Sequence, residues 1–412
     1  MHKPKLRFTA DDGSKFPDWE EKRFGETVLI ERGGSPRPIE QYLTDDENGY
    51  NWIKIGDAPE YGNRITSTVQ KIISDGLKKT RRVHVGDLIL SNSMSFGKPY
   101  ILDIDGCIHD GWLLIRDEKN NYNKLYLCYI LGSEYMLRQY KKLAAGTGVN
   151  NLNKELVSNT KIIVPCLDEQ QKIADFLSTI DTVIEKQEAT VEAWEERKKG
   201  VMQKLFSQEV RFKADDGSEF PDWEEKKLGD ISERILVGLA TTVTPYYRDS
   251  GRPMFRNLNI KQGYLDDSDM LFLDDNYANS QTTKMIKTGD ILTVHTGNIG
   301  WSCIVPEKYD GALSFTTLIT TVQDAVVVNS YVCSFLNSPL GMYKMQNLAF
   351  SGGRANLNTS EFQKVLVPVP CLAEQQKIAD CLSSLDDVIE KQKATLAAWK
   401  EMKKGLLQQM FV

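Results

Sequence analysis

Two segments of the chain carry an unbroken heptad of seam positions. In the first, Ile173, Leu177, Ile180, Ile184, Gln187, Val191, Trp194, Lys198, Val201 and Leu205 follow one another in alternating steps of four and three. In the second, Ile378, Leu382, Leu385, Ile389, Gln392, Leu396, Trp399, Lys403, Leu406 and Met410 repeat those steps position for position. This period predicts two long helices. Pro165 and Pro370 stand just before them, where a missing N–H does little harm, and Glu169 and Glu374 face the positive end of each helix dipole. At about 1.5 Å per residue, each helix would be a rod of about 60 Å. A single apolar stripe has to be covered, and the obvious cover is the other copy. Gln187 and Gln392 lie near the middle of each seam, so either orientation keeps the polar positions close together. An antiparallel pair, related by a pseudo-twofold like an isologous dimer, is the preferred expectation; a parallel pair is the alternative.

Between these helices the pattern changes. Alternating or β-rich runs such as VHVGDLIL, PYILDI, GDILTVHTG, GALSFTTLITTV and KVLVPVP predict strands separated by Gly/Asn/Asp turns. The runs NKLYLCYILGSEYMLRQYKKL and NSYVCSFLNSPLGMYKM predict helices that follow them. The expected fold class is α+β. Two mixed domains (1–164 and 208–369) are joined by a central helix (165–207) and a C-terminal helix (370–412) that form an antiparallel coiled coil with a pseudo-twofold internal repeat.

The repeat is explicit in the residues. RFTADDGSKFPDWEEKRFG (Arg7 to Gly25) returns as RFKADDGSEFPDWEEKKLG (Arg211 to Gly229) with 15 of 19 positions identical, and Cys166 to Phe206 returns as Cys371 to Phe411 with 27 of 41 identical at an offset of 205. Weaker echoes lie between: Gly86-Asp87-Leu88 with Gly289-Asp290-Ile291, and GVNNLN from Gly148 with GRANLN from Gly353. The interiors are otherwise largely unlike each other. One frame therefore holds two different contents. The second copy of the opening phrase directly follows a helix, whereas the first copy has none before it and an equivalent helix ends at Phe411. The chain thus behaves as a circle cut at that junction, and Arg7 to Gly25 is expected to pack near the end of the C-terminal helix.

At 412 residues the chain is long enough for two cores. No apolar run approaches a membrane span, the first residues lack a secretory h-region, and the seven cysteines form no CxxC pair and no zinc spacing. A reducing, cytoplasmic setting without a membrane and without a metal site is expected, with the cysteines mostly in the core. The net charge of −6 argues against a general nucleic-acid binder. Yet residues 26–165 hold 18 basic against 17 acidic residues and include KKTRR, with Lys78, Lys79, Arg81 and Arg82 as a phosphate clamp or a solvated loop.

Motifs for autonomous catalysis are absent. There is no GxxxxGK[ST] loop, no Asn/Asp-Pro-Pro-aromatic motif of amino-directed DNA methyltransferases, and no HExxH. Pro17-Asp18 with Glu20-Glu21-Lys22, repeated at Pro221-Asp222 with Glu224-Glu225-Lys226, has the letters of a PD-(D/E)xK nuclease. A single intervening residue cannot place the Asp and the ExK on adjacent strands, so Trp19 and Trp223 are read as packing anchors. No catalytic residue is assigned.

The run Pro-x-Leu-x-Glu-Gln-x-x-Ile-Ala-x-x-Leu, from Pro165 to Leu177 and from Pro370 to Leu382, resembles the spacer-helix signature of specificity subunits of type I restriction-modification systems. Trp19 to Gly25 and Trp223 to Asp230 resemble the Trp-x-x-x-x-Leu-Gly-Asp entrance to their target recognition domains, with Phe24 and Glu26 departing from it. The resemblance spans the whole chain. It implies a non-catalytic subunit in which each recognition domain reads one half of a bipartite double-stranded DNA target. Two methyltransferase subunits would dock on the helices and motor-nuclease subunits would join for restriction. S-adenosylmethionine, ATP and Mg²⁺ would belong to those partners, with no cofactor in this chain. Dissimilar inserts would mean an asymmetric target, and the seam from Ile173 to Leu205, about 48 Å or about 14 base pairs, would set the gap. The rival is a duplicated coiled-coil scaffold that never meets DNA, supported by the acidic charge. It gives no reason for two large divergent inserts.

Base or phosphate contact is expected from the polar turns after the Gly-Asp strands. These supply Ser93, Ser95 and Lys98 in the first insert and His295, Thr296, Asn298 and Trp301 in the second. The Gly-rich loops that follow add Thr147 and Asn150, and Arg354 and Asn356.

Overall fold

The computed structural model describes residues 4–59, 62–92, 96–145, 151–350 and 356–411. They fall into two compact units, residues 1–188 with 394–412, and residues 189–393. Each unit therefore combines one globular part with a segment of both long helices, a division unlike the four consecutive blocks read along the chain.

The central helix spans Leu167–Phe206 and the C-terminal helix Leu372–Met410. In the first unit Asp181 pairs with Lys403, and Glu188 with Lys400 at 2.7 Å. In the second, Lys198 pairs with Asp386 at 2.5 Å and Glu195 with Lys393 at 2.8 Å. In both, the partner's number falls as the residue number rises, so the helices run antiparallel. Burial along the seam is uneven. Ile173, Leu177, Ile180, Ile184 and Val191 are buried, as are Ile378, Leu382 and Ile389, whereas Gln187, Trp194, Leu385, Gln392, Leu396 and Trp399 are half-buried. The helix ends do more than cover each other. Ile173, Leu177, Met410 and Phe411 belong to the first globular core, and Met202, Leu205, Phe206, Ile378 and Leu382 to the second.

The spacer signature has a physical basis. Glu169, fully buried, accepts both arms of the Arg7 guanidinium (3.1 and 2.8 Å) and the Trp19 indole N–H (2.8 Å). Glu374 accepts the same groups from Arg211 (3.1 and 2.8 Å) and Trp223 (2.9 Å). These hydrogen bonds hold the pKa of Arg7 and Arg211 above the ordinary arginine value. A buried carboxylate is tolerable only when it is paired in this way. The next residue, Gln170, accepts from Asn123 N–H at 2.8 Å and donates to the carbonyls of Asn121 and Pro165; Gln375 makes the same three bonds with Val328, Val326 and Pro370. The Glu-Gln pair thus pins the opening phrase and the loop before the next helix to one point. Trp19 and Trp223 are anchors, as expected. The following residues, Glu20–Arg23 and Glu224–Lys227, form short strands antiparallel to Lys161–Val164 and Leu366–Val369.

The cut circle closes. Leu6 N–H donates to the Gln409 carbonyl at 3.2 Å, as Val210 N–H does to the equivalent Lys204 carbonyl at 3.2 Å. The first bond links residues far apart in sequence and the second lies within one continuous stretch.

The interiors share a topology that their sequences conceal. In the first unit one sheet has the order Leu29–Arg32, Trp112–Arg116, Leu88–Ser91, Pro99–Leu102, Arg64–Ile65; in the second the order is Ser232–Val237, Thr317–Val322, Ile291–Val294, Ser302–Ile304. The other sheets read Leu43–Thr44, Gln70–Ile72, Tyr50–Ile53, Gly106–Ile108, Arg81–Val83, and Tyr247–Arg248, Leu271–Leu273, Arg252–Arg256, Leu313–Phe315. The first unit differs by one added edge strand in each sheet. The Gly-Asp echo is a turn: Gly86 and Gly289 take φ of 84° and 85°, a left-handed conformation suited to glycine, and the Asp carboxylates accept from His84 N–H and Lys287 N–H.

Three sequence readings are refined. GALSFTTLITTV is two strands, Leu313–Phe315 and Thr317–Val322, in different sheets, with Thr316 between them at φ 51°. Each predicted helical run is a pair: Lys124–Leu131 with Glu134–Ala145, and Asn329–Asn337 with Pro339–Phe350. Gly132 and Pro339 mark the breaks, glycine packing tightly against Pro99 and proline lacking the N–H a continuous helix needs. Of the seven free cysteines, Cys107, Cys128, Cys303 and Cys333 are buried, Cys166 and Cys381 are half-buried and Cys371 is exposed.

Candidate nucleic-acid interface

In each unit the NLN segment meets the end of a hairpin strand. The hairpin joining Leu88–Ser91 to Pro99–Leu102 is closed by Ser91 N–H to Lys98 carbonyl (2.9 Å) and Gly97 N–H to Ser91 carbonyl (2.9 Å). The hairpin joining Ile291–Val294 to Ser302–Ile304 is closed identically, by Val294 to Trp301 (2.9 Å) and Gly300 to Val294 (2.8 Å). The next carbonyl receives the NLN segment. Asn92 accepts from Leu152 N–H at 2.9 Å, and His295 from Leu357 N–H at 3.0 Å. Both leucines are buried plugs, and Asn153 and Asn358 cap the helices that follow. The repeated NLN is therefore a clasp that fastens Leu152 and Leu357 to the end of the hairpin's first strand.

The side chains on this shared scaffold differ. In the second unit His295 Nδ1 lies 2.7 Å from Asn356 Oδ1, and Asn257 Nδ2 donates to Thr296 Oγ1 at 2.9 Å. His295 Nε2, Asn257 Oδ1 and Arg256 Nε are buried without a hydrogen-bond partner among the described residues. With Nδ1 donating to Asn356, Nε2 of a neutral ring is an acceptor. A buried polar group left unmet in this way is satisfied by water, an ion or a bound ligand. Asn298 is exposed, while Trp301 is half-buried against the core. In the first unit Asn92 stands where His295 stands and donates to the Asp110 carbonyl at 2.8 Å, and Lys98, the counterpart of Trp301, lies over the Tyr100 ring at 5.2 Å. Ser93, Ser95, Thr147, Asn150 and Arg354 lie outside the described residues.

Arg81 and Arg82 belong to the other sheet of the first unit, and Lys78 and Lys79 lie just before them. Lys78 and Lys79 end the short helix Ser74–Lys79, and Arg81 and Arg82 sit on the edge strand Arg81–Val83. Lys79 lies 2.5 Å from the Tyr42 hydroxyl, Arg81 pairs with Glu31 at 3.0 Å and Arg82 lies over the Tyr50 ring at 5.6 Å. This basic-aromatic edge has no strand counterpart in the second unit, where a lone bridge, Met285 to Leu313, takes its place. Asn92 lies inside the expected polar turn Ser91 to Lys98 without being singled out there, and Asn257 lies outside every candidate stretch. Extending the Gly-Asp offset of 203 from Gly86/Gly289 would have reached Asn92 from His295. Nothing local marks Asn257, which approaches Thr296 only through the fold.

Residues 17–193 and 221–398 each match the type I restriction modification DNA specificity domain family. The chain belongs to this family. Both matches begin at the Pro-Asp-Trp entrance and run into the following long helix, so the unit of the family is one globular part with its spacer. The chain is 25% identical over 402 residues to the type I restriction enzyme MjaVIII specificity subunit of Methanocaldococcus jannaschii, covering 93% of this chain and 90% of that protein. It is 24% identical over 298 residues to the EcoKI specificity subunit of Escherichia coli K12, covering 68% and 62%. In fold it resembles a type I restriction-modification S subunit from M. genitalium, with TM-score 0.54, 14% identity and coverage of 100% and 99%. A chain solved in work on assembly and conformational transition of the type I R-M system gives TM-score 0.59 at 18% identity, with coverage of 96% and 98%. Among the described residues no helix is long and apolar enough to cross a membrane, and no group of three or more His, Cys, Asp or Glu is arranged to hold a metal ion.

Proposed function

We propose that this specificity-family chain is the non-catalytic DNA-reading subunit of a type I restriction-modification complex. Each globular part reads one half of an asymmetric bipartite target through the major groove, and the antiparallel helices set the half-site gap. Two methyltransferase subunits dock on those helices and motor-nuclease subunits add restriction; S-adenosylmethionine, ATP and Mg²⁺ act in the partners. One observation carries the reading: a shared hairpin and leucine clasp presents Asn92 and Lys98 in one unit and His295 and Asn356 in the other, where Asn257 comes in from a separate segment to meet Thr296. A scaffold that only joins proteins has no use for equivalent turns with different donors and acceptors. Base edges are distinguished by just such patterns, and Lys79, Arg81 and Arg82 supply phosphate attraction on one edge.

The test is to co-express the chain with its methyltransferase and map methylated adenines. A bipartite motif with unlike halves is expected; methylation without sequence preference overturns the reading. Inserting four helical residues in both spacers adds about 6 Å and should widen the gap by about two base pairs.

A further inference from the structure

The two long helices are alike enough to raise a pairing problem. With 27 of 41 positions identical and the stripes in register, each helix offers almost the same apolar surface to a copy of itself as to its counterpart. Apolar burial is non-directional and does not choose between them. The choice has to come from the positions that flank the seam.

Among the described residues, four ion pairs between the helices line these positions. The outer two, Asp181 with Lys403 and Lys198 with Asp386, are the same pair under the offset of 205, because both helices carry Asp and Lys there. They would form in any combination of helices. The inner two are different. Glu188 pairs with Lys400 at 2.7 Å, and Glu195 with Lys393 at 2.8 Å. Under the offset, Lys393 is the counterpart of Glu188 and Lys400 that of Glu195. The central helix thus has Glu at both positions and the C-terminal helix has Lys at both. Of the differing positions (41 − 27 = 14), these are the two at which the sign of the charge reverses, and they are the two that face each other across the seam. In the same antiparallel register, two central helices would set Glu188 against Glu195 twice, and two C-terminal helices would set Lys393 against Lys400 twice.

We infer that the charge-swapped pairs Glu188–Lys400 and Glu195–Lys393 are a pairing code by which the central helix accepts a helix of the C-terminal type and rejects a second copy of itself. The four side chains are 26–48% exposed, so each pair is weak as a source of stability. Partner choice depends on a difference of energies, in which attraction lost and repulsion gained add together. The consequence is that association between chains through like helices is disfavoured, and the two unlike recognition parts stay together.

Charge reversal in the full-length chain tests this. E188K/E195K creates the all-lysine arrangement of two C-terminal helices, and K393E/K400E the all-glutamate arrangement of two central ones. Each should lower the folded-to-unfolded ratio in denaturant titration by about tenfold at low salt, with most of the loss recovered in 1 M NaCl. The fourfold variant E188K/E195K/K393E/K400E should return to the wild-type value. The neutral E188Q/E195Q should fall between, and gives a reading even where a reversed variant does not fold. If the one-sided reversals match wild type, or the fourfold variant is no better than they are, the code does not exist.

Discussion

The two units agree most closely where the chemistry is least adaptable. Glu169 and Glu374 are both fully buried, and both take the two arms of an arginine and a tryptophan N–H at distances agreeing within 0.1 Å. At the hairpins the backbone hydrogen bonds coincide, yet Asn92 stands opposite His295 and Lys98 opposite Trp301. At the sheet edges even the backbone diverges, with Arg81–Val83 present in one unit and a single bridge in the other. Buried charge tolerates no substitution because an unpaired ion or an orphaned donor costs several kcal/mol. A turn that faces water tolerates any side chain that its backbone accepts. The pattern of agreement therefore separates what holds the frame from what the frame presents.

Breaking the frame should have the largest effect and should be indifferent to which unit is chosen. The helix-end aromatics come first. Phe411 packs edge-on to Tyr126 at 5.8 Å, and Phe206 lies 5.7 Å from Tyr331. Phe411→Ala and Phe206→Ala should each cost about 3–4 kcal/mol in denaturant unfolding, even though one residue is near the chain end and the other is internal. Next come the junction carboxylates. Glu169→Gln and Glu374→Gln each leave a half-buried arginine without its counter-charge, and both are expected to cost about 1.5–3 kcal/mol by the same assay. A large inequality between them would show that the two junctions are not equivalent. The smallest and most one-sided effects belong to the presented side chains. His295→Ala should leave the unfolding midpoint within about 0.5 kcal/mol of wild type. It should relax one position of one half-site by about 1–3 kcal/mol in competition binding of the assembled methyltransferase, leaving the other half unchanged. Equal relaxation of both halves would contradict the division of labour.

Much of this was legible along the chain because its causes are local or periodic. The heptad positions announced both long helices, and their observed bounds, Leu167–Phe206 and Leu372–Met410, lie within a residue or two of the repeated blocks. The opening phrase was correctly read as an anchor whose first copy meets the end of the last helix. The role of Glu169 was read only in part, as a carboxylate at a dipole. Its partners Arg7 and Trp19 are more than 140 residues away in sequence, so neither spacing nor period links them. The shared topology of the interiors was hidden for a related reason. Strand pairing is satisfied by backbone groups, and the same sheet order accepts any residues with suitable alternation.

Sequence alone determined the duplication, the helical seam with its reversed charges, and the absence of a catalytic motif, since each is a property of residue order. Tertiary structure decided the rest. It showed that the NLN echo is a clasp, that Asn92 and His295 are counterparts, and that Asn257 reaches Thr296 beside His295. It also showed that KKTRR runs from a short helix onto the edge of a different sheet from the hairpin turn. It set Glu188 against Lys400 and Glu195 against Lys393, turning two scattered substitutions into facing pairs. These depend on which distant backbone groups hydrogen-bond and which side chains close on one another, and no local pattern encodes that.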